Sequence, residues 1–460
     1  MVFANLFFLY LFLPVNLILY FSTKNRVFRN AVLIFFSLFF YAWGEPVWVT
    51  LLIFSATIDY FHGLIIEKNR GKIGAKLALI SSLVLNLGLL GIFKYSGFFV
   101  ENINFLTGLD LPVPEFALPI GISFYTFQIL SYNVDVYRGD VPAQRNPINL
   151  AAYIALFPQL IAGPIVRYSH IEKELQHRTH SFEKCAEGVR RFVLGLSKKI
   201  LIANVLGELC DTFKASSDKS VAFYWIYAIA FCLHVYFDFS GYSDMAIGLG
   251  KIFGFTFMEN FNYPFISKSA TEFWRRWHIS LGSWFRDYVY IPMGGSRVGK
   301  LRMFFNIFVV WMLTGFWHGA AWNFIIWGLY FAVLLIIEKV FILKYLNKSK
   351  VLSHIYLLFF VIISFVIFNA ASMGEAFSYI GAMFGAGDIP FSSAETLYYL
   401  RSYIVVFVVA IIGSTPLPKL LANKAKFTKF VEPVVLLILL AVCTAYLVDG
   451  SFNPFLYFRF

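Results

Sequence analysis

"MVFANLFFLYLFLPVNLILYFST", residues 1–23, contains no Asp, Glu, Lys or Arg. A hydrocarbon core about 30 Å thick takes roughly 20 apolar residues in a helix, so this opening stretch can cross a membrane before the first basic cluster arrives. A cleavable leader begins with positive charge and ends in small residues. This one does neither and reads as a retained helix. The rest of the chain keeps the same character: of 460 residues, 59% are hydrophobic and 14% charged, with a mean hydropathy of +0.70. No soluble domain is visible, and the expected solvent is lipid.

Outward from that stretch, apolar spans fall at 2–21, 30–44, 47–66, 76–94, 117–136, 149–166, 221–250, 304–337, 351–372, 398–414 and 431–448. Backbone left open in lipid has no hydrogen-bond partner, so spans of this length are helices. The expected fold class is all-α: a polytopic membrane protein of about eleven transmembrane helices plus interfacial or re-entrant helices, with 1–460 as one domain. The net charge of +12 does not describe a nucleic-acid face, because the basic residues cluster between spans. There they orient the chain and attract anionic headgroups. Lys24, Arg26 and Arg29, then Lys68, Arg70, Lys72 and Lys76, put two loops on the cytoplasmic side. The acidic stretch 101–116 and the loop holding Glu375, Asp388 and Glu395 belong outside, and Lys419, Lys424, Lys426 and Lys429 return to the cytoplasm. That parity sends the closing "SFNPFLYFRF" (451–460) outward. Cys185, Cys210, Cys232 and Cys443 lie far apart without C-x-x-C spacing and read as core residues, not as a metal or disulfide framework.

Two stretches are not simple spans. Residues 181–210 mix Arg190, Arg191, Lys198 and Lys199 with apolar positions, which suits a helix lying in the membrane plane. In 272–290, at 100° per residue, Phe273, Trp277, Leu281, Trp284, Phe285 and Tyr288 share one arc. Arg275, Ser283, Arg286 and Asp287 fall opposite, and His278 sits at the border.

Candidate chemistry begins with His318, inside "LTGFWHGAAWN" (313–323). An ionisable residue within a span is a functional hypothesis by default, since desolvation keeps an imidazole neutral and able to accept a proton. A core histidine bonded to a helix carbonyl is the competing reading, of equal weight. Gly315 and Gly319 permit close backbone approach, which fits packing and substrate access alike. The arginine-rich stretch 272–302 matches phosphate geometry and could hold coenzyme A or an acidic carrier; an interfacial Trp/Arg anchor explains it equally. Asp238 and Asp244, in the apolar run 233–250, need donors or a proton, and structural hydrogen bonding outweighs a role in orienting a histidine. Pro158 and Pro164 break a span end and free carbonyls, a hint of an internal funnel. His170, His177 and His180 in the following loop read as solvated.

With these residues in hand, a resemblance can be stated. "LPIGISFYTFQILSYNVDVYRGD" (118–140), "FPQLIAGPIVR" (157–167), "YFDFSGYSDMAIGLG" (236–250), "FNYPF" (261–265), "FWRRWHISLGSWFRDYVYIPMGGSR" (273–297), "GFWHGAAWNFIIWGLY" (315–330) and the closing "FNPFLYFRF" resemble the membrane-bound O-acyltransferase family, in its bacterial alginate O-acetylation branch. The likeness spans 1–460 and is densest over 118–330. It implies a funnel through the membrane and transfer of an acyl group from a cytoplasmic donor to an extracytoplasmic hydroxyl. His318 maps onto the family's W-H-G histidine and His278 onto that of W-R-R-W-H; His318 would be the general base, and His278 would donate to the oxyanion or orient the base. Trp317, Asp238, Arg275, Arg276 and Arg286 are the candidate substrate contacts. Where the branch often has Gln, this chain has His234; where it often has His–Gly, it has Phe331–Ala332.

The expected function is therefore O-acetylation of an exopolysaccharide or cell-wall glycan in the bacterial cytoplasmic membrane. No bound cofactor is expected. Acetyl-CoA or an acyl-carrier thioester is the donor substrate, and a separate extracytoplasmic acyltransferase is the partner. D-alanine transfer to teichoic acid is the nearest alternative. A glycan or lipid transporter without acyl chemistry belongs to another class, and no duplicated halves support it.

Overall fold

The computed structural model describes residues 1–161, 163–424, 428–450 and 455–456, and among them every regular element is helical. Lys426 and most of the closing stretch, on which the outward C-terminus rests, lie outside the described residues. The chain divides into two compact units, Met1–Phe192 with Tyr242–Met258, and Val193–Gly241 with Glu259–Phe460.

The first unit begins with α1 (Phe8–Phe21) and α2 (Arg26–Ala42), the latter started by Asn25, whose side chain accepts from Val27 N at 2.9 Å. Then come α3 (Val49–Lys68), α4 (Ile73–Thr107) and α5 (Ile122–Arg138). Almost all of α5 is buried, polar residues included. A helix enclosed by protein need not be apolar, because its neighbours satisfy it. Asn133 of α5 donates to Asp59 of α3 at 2.7 Å, and Ser82 and Asn86 of α4 donate to the same carboxylate at 2.5 and 2.7 Å. His62 joins through Nδ1 at 3.1 Å. Neither Asp59 nor His62 stands out in the hydropathy pattern.

The expected span 149–166 is two short helices, α6 (Pro147–Ala155) and α7 (Phe157–Leu160), broken at Leu156 just before Pro158. Side chains take the freed backbone groups: Gln159 Nε2 donates to Tyr153 O at 2.5 Å, and Ser37 Oγ accepts from Phe157 N at 3.0 Å. After α8 (Tyr168–Gln176), His180 is half-buried, not solvated as expected. Its Nε2 lies 3.0 Å from Tyr20 Oη and its Nδ1 3.3 Å from Arg29. Burial, and then the Arg29 and Arg178 guanidinium groups, hold its imidazole below the ordinary histidine value. The part of α9 (Phe182–Ser197) in this unit supplies Arg191 to Asp244 at 2.9 Å.

In the second unit, residues 193–215, which end in α10 (Val205–Ala215), pack lengthwise on α11 (Val221–Ile252). A Cβ on Gly241 would lie 2.7 Å from Gly195 O, and one on Gly207 3.0 Å from the His234 ring. The in-plane reading covered 181–210; over 193–210 small residues instead let the two helices run side by side, and Lys199, one of the charged residues on which that reading rests, is buried. Beyond α11 lie α12 (Ala270–Trp274), α13 (Ile279–Phe285), α14 (Lys300–His318), α15 (Trp322–Leu346), α16 (Lys350–Asn369), α17 (Met373–Met383), α18 (Ala394–Gly413) and α19 (Val431–Asp449). Ser269, Ser349, Ser372 and Ser393 cap α12, α16, α17 and α18.

Among the described residues 7 helices, α3, α4, α11, α15, α16, α18 and α19, are long and apolar enough to cross a membrane. The expected eleven is not reached, and the reasons are local. The 149–166 stretch is broken, α5 is polar, and α1 and α2 are short, whereas the broken 304–337 stretch still supplies α15, one of the seven.

Candidate functional site

The break in 304–337 makes the site. Its first half, α14, ends at His318; Gly319 and Ala321 are extended; and α15 starts at Trp322. The two halves form a hairpin packed backbone to backbone, since a Cβ on Gly315 would lie 2.2 Å from Phe324 O and one on Gly328 2.2 Å from Trp311 O. Neither position has room for a side chain. Gly315→Val is expected to force the hairpin apart at a cost of about 1–3 kcal/mol or more, read as a lower Tm in detergent, while Gly299→Ala, with nothing within 4 Å of its Cβ, should leave Tm in place.

His318 thus ends a helix instead of sitting in the middle of a crossing. It is 4% exposed, with Trp317, Trp327 and Phe368 standing edge-on to it at centroid distances of 5.0, 5.1 and 5.4 Å. Phe331 packs on Trp274 at 4.9 Å and on Trp327 at 5.4 Å.

His278 is 1% exposed. The aromatic arc of 272–290 is buried as expected apart from the half-buried Tyr288, but the helix is interrupted. His278 has φ 44° and ψ 53°, a left-handed turn between α12 and α13. A non-glycine residue there costs about 1–3 kcal/mol and persists only where its surroundings over-determine it. They do: Ile279 N donates to Asn260 O at 3.0 Å, and Asn262 N to Arg276 O at 2.9 Å. Phe239 stands edge-on to the imidazole at 4.6 Å, and Trp317 lies 5.9 Å away. Burial pushes the His278 imidazole down to about 3, so it is neutral at ordinary pH. The Trp317 indole therefore borders both histidines, which the sequence could place together only by resemblance.

Asp238, a candidate substrate contact, has both oxygens engaged internally. Lys199 Nζ lies 2.5 Å from Oδ1, and Leu456 N donates to Oδ2 at 2.8 Å. Phe455 beside it packs on Phe239 at 5.7 Å. His234 Nδ1 donates to Ala203 O at 2.7 Å, a helix-to-helix bond. Of the arginines, Arg276 is held by Glu272 at 2.9 Å and by Asn262 O at 3.1 Å, and Arg286 by Asp287 at 2.6 Å. Arg275 is exposed and, among the described residues, makes no ion pair.

Three residues escaped the sequence reading. Lys199 looked like a surface charge. Glu338 is buried and accepts from Ala270 N at 2.5 Å and Thr271 N at 2.9 Å, capping the short helix that leads to His278. Asn260 binds the His278 turn through side chain and backbone. No periodicity marks an isolated polar residue whose partner is distant in the chain.

A model of the membrane-bound O-acyltransferase family matches residues 129–376. The probable alginate O-acetylase AlgI of Azotobacter vinelandii is 39% identical over 100% of this chain and 100% of its own length. The peptidoglycan O-acetyltransferase of Helicobacter pylori is 33% identical over 83% of this chain and 79% of its own. The teichoic acid D-alanyltransferase of Bacillus subtilis is 34% identical over 47% of this chain and 58% of its own.

Proposed function

The chain belongs to the membrane-bound O-acyltransferase family, and from that premise we propose that it takes acetyl from cytoplasmic acetyl-CoA and passes it toward hydroxyls of an extracytoplasmic polysaccharide, with His318 as general base. It is a multi-pass enzyme of the cell membrane. The observation that carries the site assignment is the shared Trp317 indole, against which His278 and His318 both lie.

The chemistry asks for little else. A sugar hydroxyl is a poor nucleophile at neutral pH, and a positioned base contributes typically 10²–10⁴-fold. As the hydroxyl oxygen attacks the thioester carbonyl carbon, its proton passes to His318; the carbon–sulfur bond then breaks and the thiolate leaves with a proton. The aromatic walls keep water from the thioester. Arg275 is the arginine best placed to meet a donor phosphate, because Arg276 and Arg286 would first have to surrender carboxylates.

The Bacillus subtilis likeness supports a second reading, D-alanine drawn from a carrier protein, but over less of the chain. Purified protein in sealed vesicles separates the two. With labelled acetyl-CoA outside and polysaccharide trapped inside, coenzyme A release and inward acetyl transfer are expected. Inertness toward acetyl-CoA with consumption of a D-alanyl carrier thioester would transfer the assignment to the second reading, and inertness toward both would reject each.

A further inference from the structure

The bonds around Asn260 determine where the proton of His278 sits. Asn260 is 1% exposed, and its side-chain Oδ1 lies 3.2 Å from Ser280 N, 2.8 Å from Ser280 Oγ and 3.2 Å from His278 Nδ1. A backbone N–H only donates. The atom facing Ser280 N must therefore be the amide oxygen, and the flip that leaves most Asn side chains ambiguous is settled here. An oxygen that faces an imidazole nitrogen at hydrogen-bond distance accepts from it. Nδ1 therefore carries the hydrogen, and in a neutral ring Nε2 then carries the lone pair.

We infer that Asn260 is a positioning residue that holds His278 as the Nδ1–H tautomer, so that Nε2 acts in acyl transfer as a proton or hydrogen-bond acceptor. This rests on the acyltransferase reading of the site and decides between the two roles open to His278. A neutral ring with its hydrogen committed to Asn260 does not donate to an oxyanion; it accepts from the group whose proton moves, or from the base that moves it. The left-handed backbone at His278 serves the same end, because Asn260 grips that turn through Ile279 N as well as through the ring. Burial reinforces it by keeping the ring uncharged.

The direct test is the nitrogen spectrum of the full-length protein, labelled with 15N-histidine in lipid vesicles, with the His278 signals identified by their loss in His278→Gln. A protonated Nδ1 and an unprotonated Nε2 are expected. The reverse pattern, or a doubly protonated ring at neutral pH, overturns the inference. A kinetic arm adds a readout that a merely structural role would not move. Asn260→Asp keeps an acceptor for Nδ1 and for Ser280 but places a negative charge beside the ring, which favours the imidazolium. The ring's protonation then rises toward neutral pH, so activity retained at pH 8 should fall away as pH drops through about 7 to 5, a limb the parent lacks in that window. Asn260→Ala, which frees the ring to take either tautomer, should lower kcat by about 10²-fold or more. An active Asn260→Asp enzyme with the parent's pH profile, or Asn260→Ala with the parent's kcat, contradicts the proposal. A His318→Ala protein that still transferred acetyl would sink the base assignment while leaving the nitrogen spectrum as expected, so the two failures are distinguishable.

Discussion

Acetyl transfer should fall by at least about 10²–10⁴-fold when His318 is replaced by alanine, because the hydroxyl then has no positioned base. Truncation also removes a ring that Trp317, Trp327 and Phe368 enclose, so lost packing has to be separated from lost chemistry. His318→Gln does this. It fills most of the space and can still hydrogen-bond, but it cannot take a proton near neutral pH. Both variants should insert into membranes, and the Gln variant should keep a Tm within a few degrees of the parent. Coenzyme A release in vesicles containing polysaccharide should be lost in both. Transfer by His318→Gln at more than a tenth of the parent rate would remove His318 from the proposed role and leave it as a packing residue.

Lys199→Met is the second large effect, and it acts on stability. Lys199 Nζ stands 2.5 Å from Asp238 Oδ1, with both side chains buried. Removing one member of a buried ion pair leaves the other charge uncompensated and costs about 3–5 kcal/mol, whereas replacing both is often near neutral. Lys199→Met should therefore lower Tm sharply and reduce the amount of folded protein in the membrane. Adding Asp238→Asn should restore most of the loss, since the amide oxygen still accepts from Leu456 N and no charge remains. The double variant also tests Asp238 as a substrate contact: transfer at the parent rate would assign it to structure, and a folded but inactive protein would assign it to the substrate. A Lys199→Met protein as stable as the parent would mean that the pair contributes nothing.

Much of this molecule was legible in the chain. Hydropathy over long windows gave the solvent, and Gly315, which fits packing and substrate access alike in the sequence, packs against the backbone of Phe324. The arc of Phe273, Trp277, Leu281, Trp284 and Phe285 is buried as its spacing predicts, although the backbone bends at His278. Among the described residues seven apolar spans stand against the expected eleven crossings, because length and hydropathy do not report where a helix is broken or which helices other protein encloses. His180 departs from its expected solvation for a related reason: its neighbours Tyr20 and Arg29 are remote in sequence. Asp59 lay hidden because one acid barely changes the mean hydropathy of a long apolar span.

By itself the sequence determined a helical protein in lipid, because apolar content summed over a window needs no knowledge of partners. Its motifs singled out His318 and His278, but as separate residues. Only the tertiary structure decided that one indole borders both rings, that Lys199 is the counter-ion of Asp238, and that Asn260 holds His278 through Nδ1. The physical reason is range. Burial propensity is carried by each residue and adds along the chain, whereas a hydrogen bond or an ion pair depends on two atoms meeting within about 3 Å, and that separation is settled by helices packing, not by the spacing of residues in sequence.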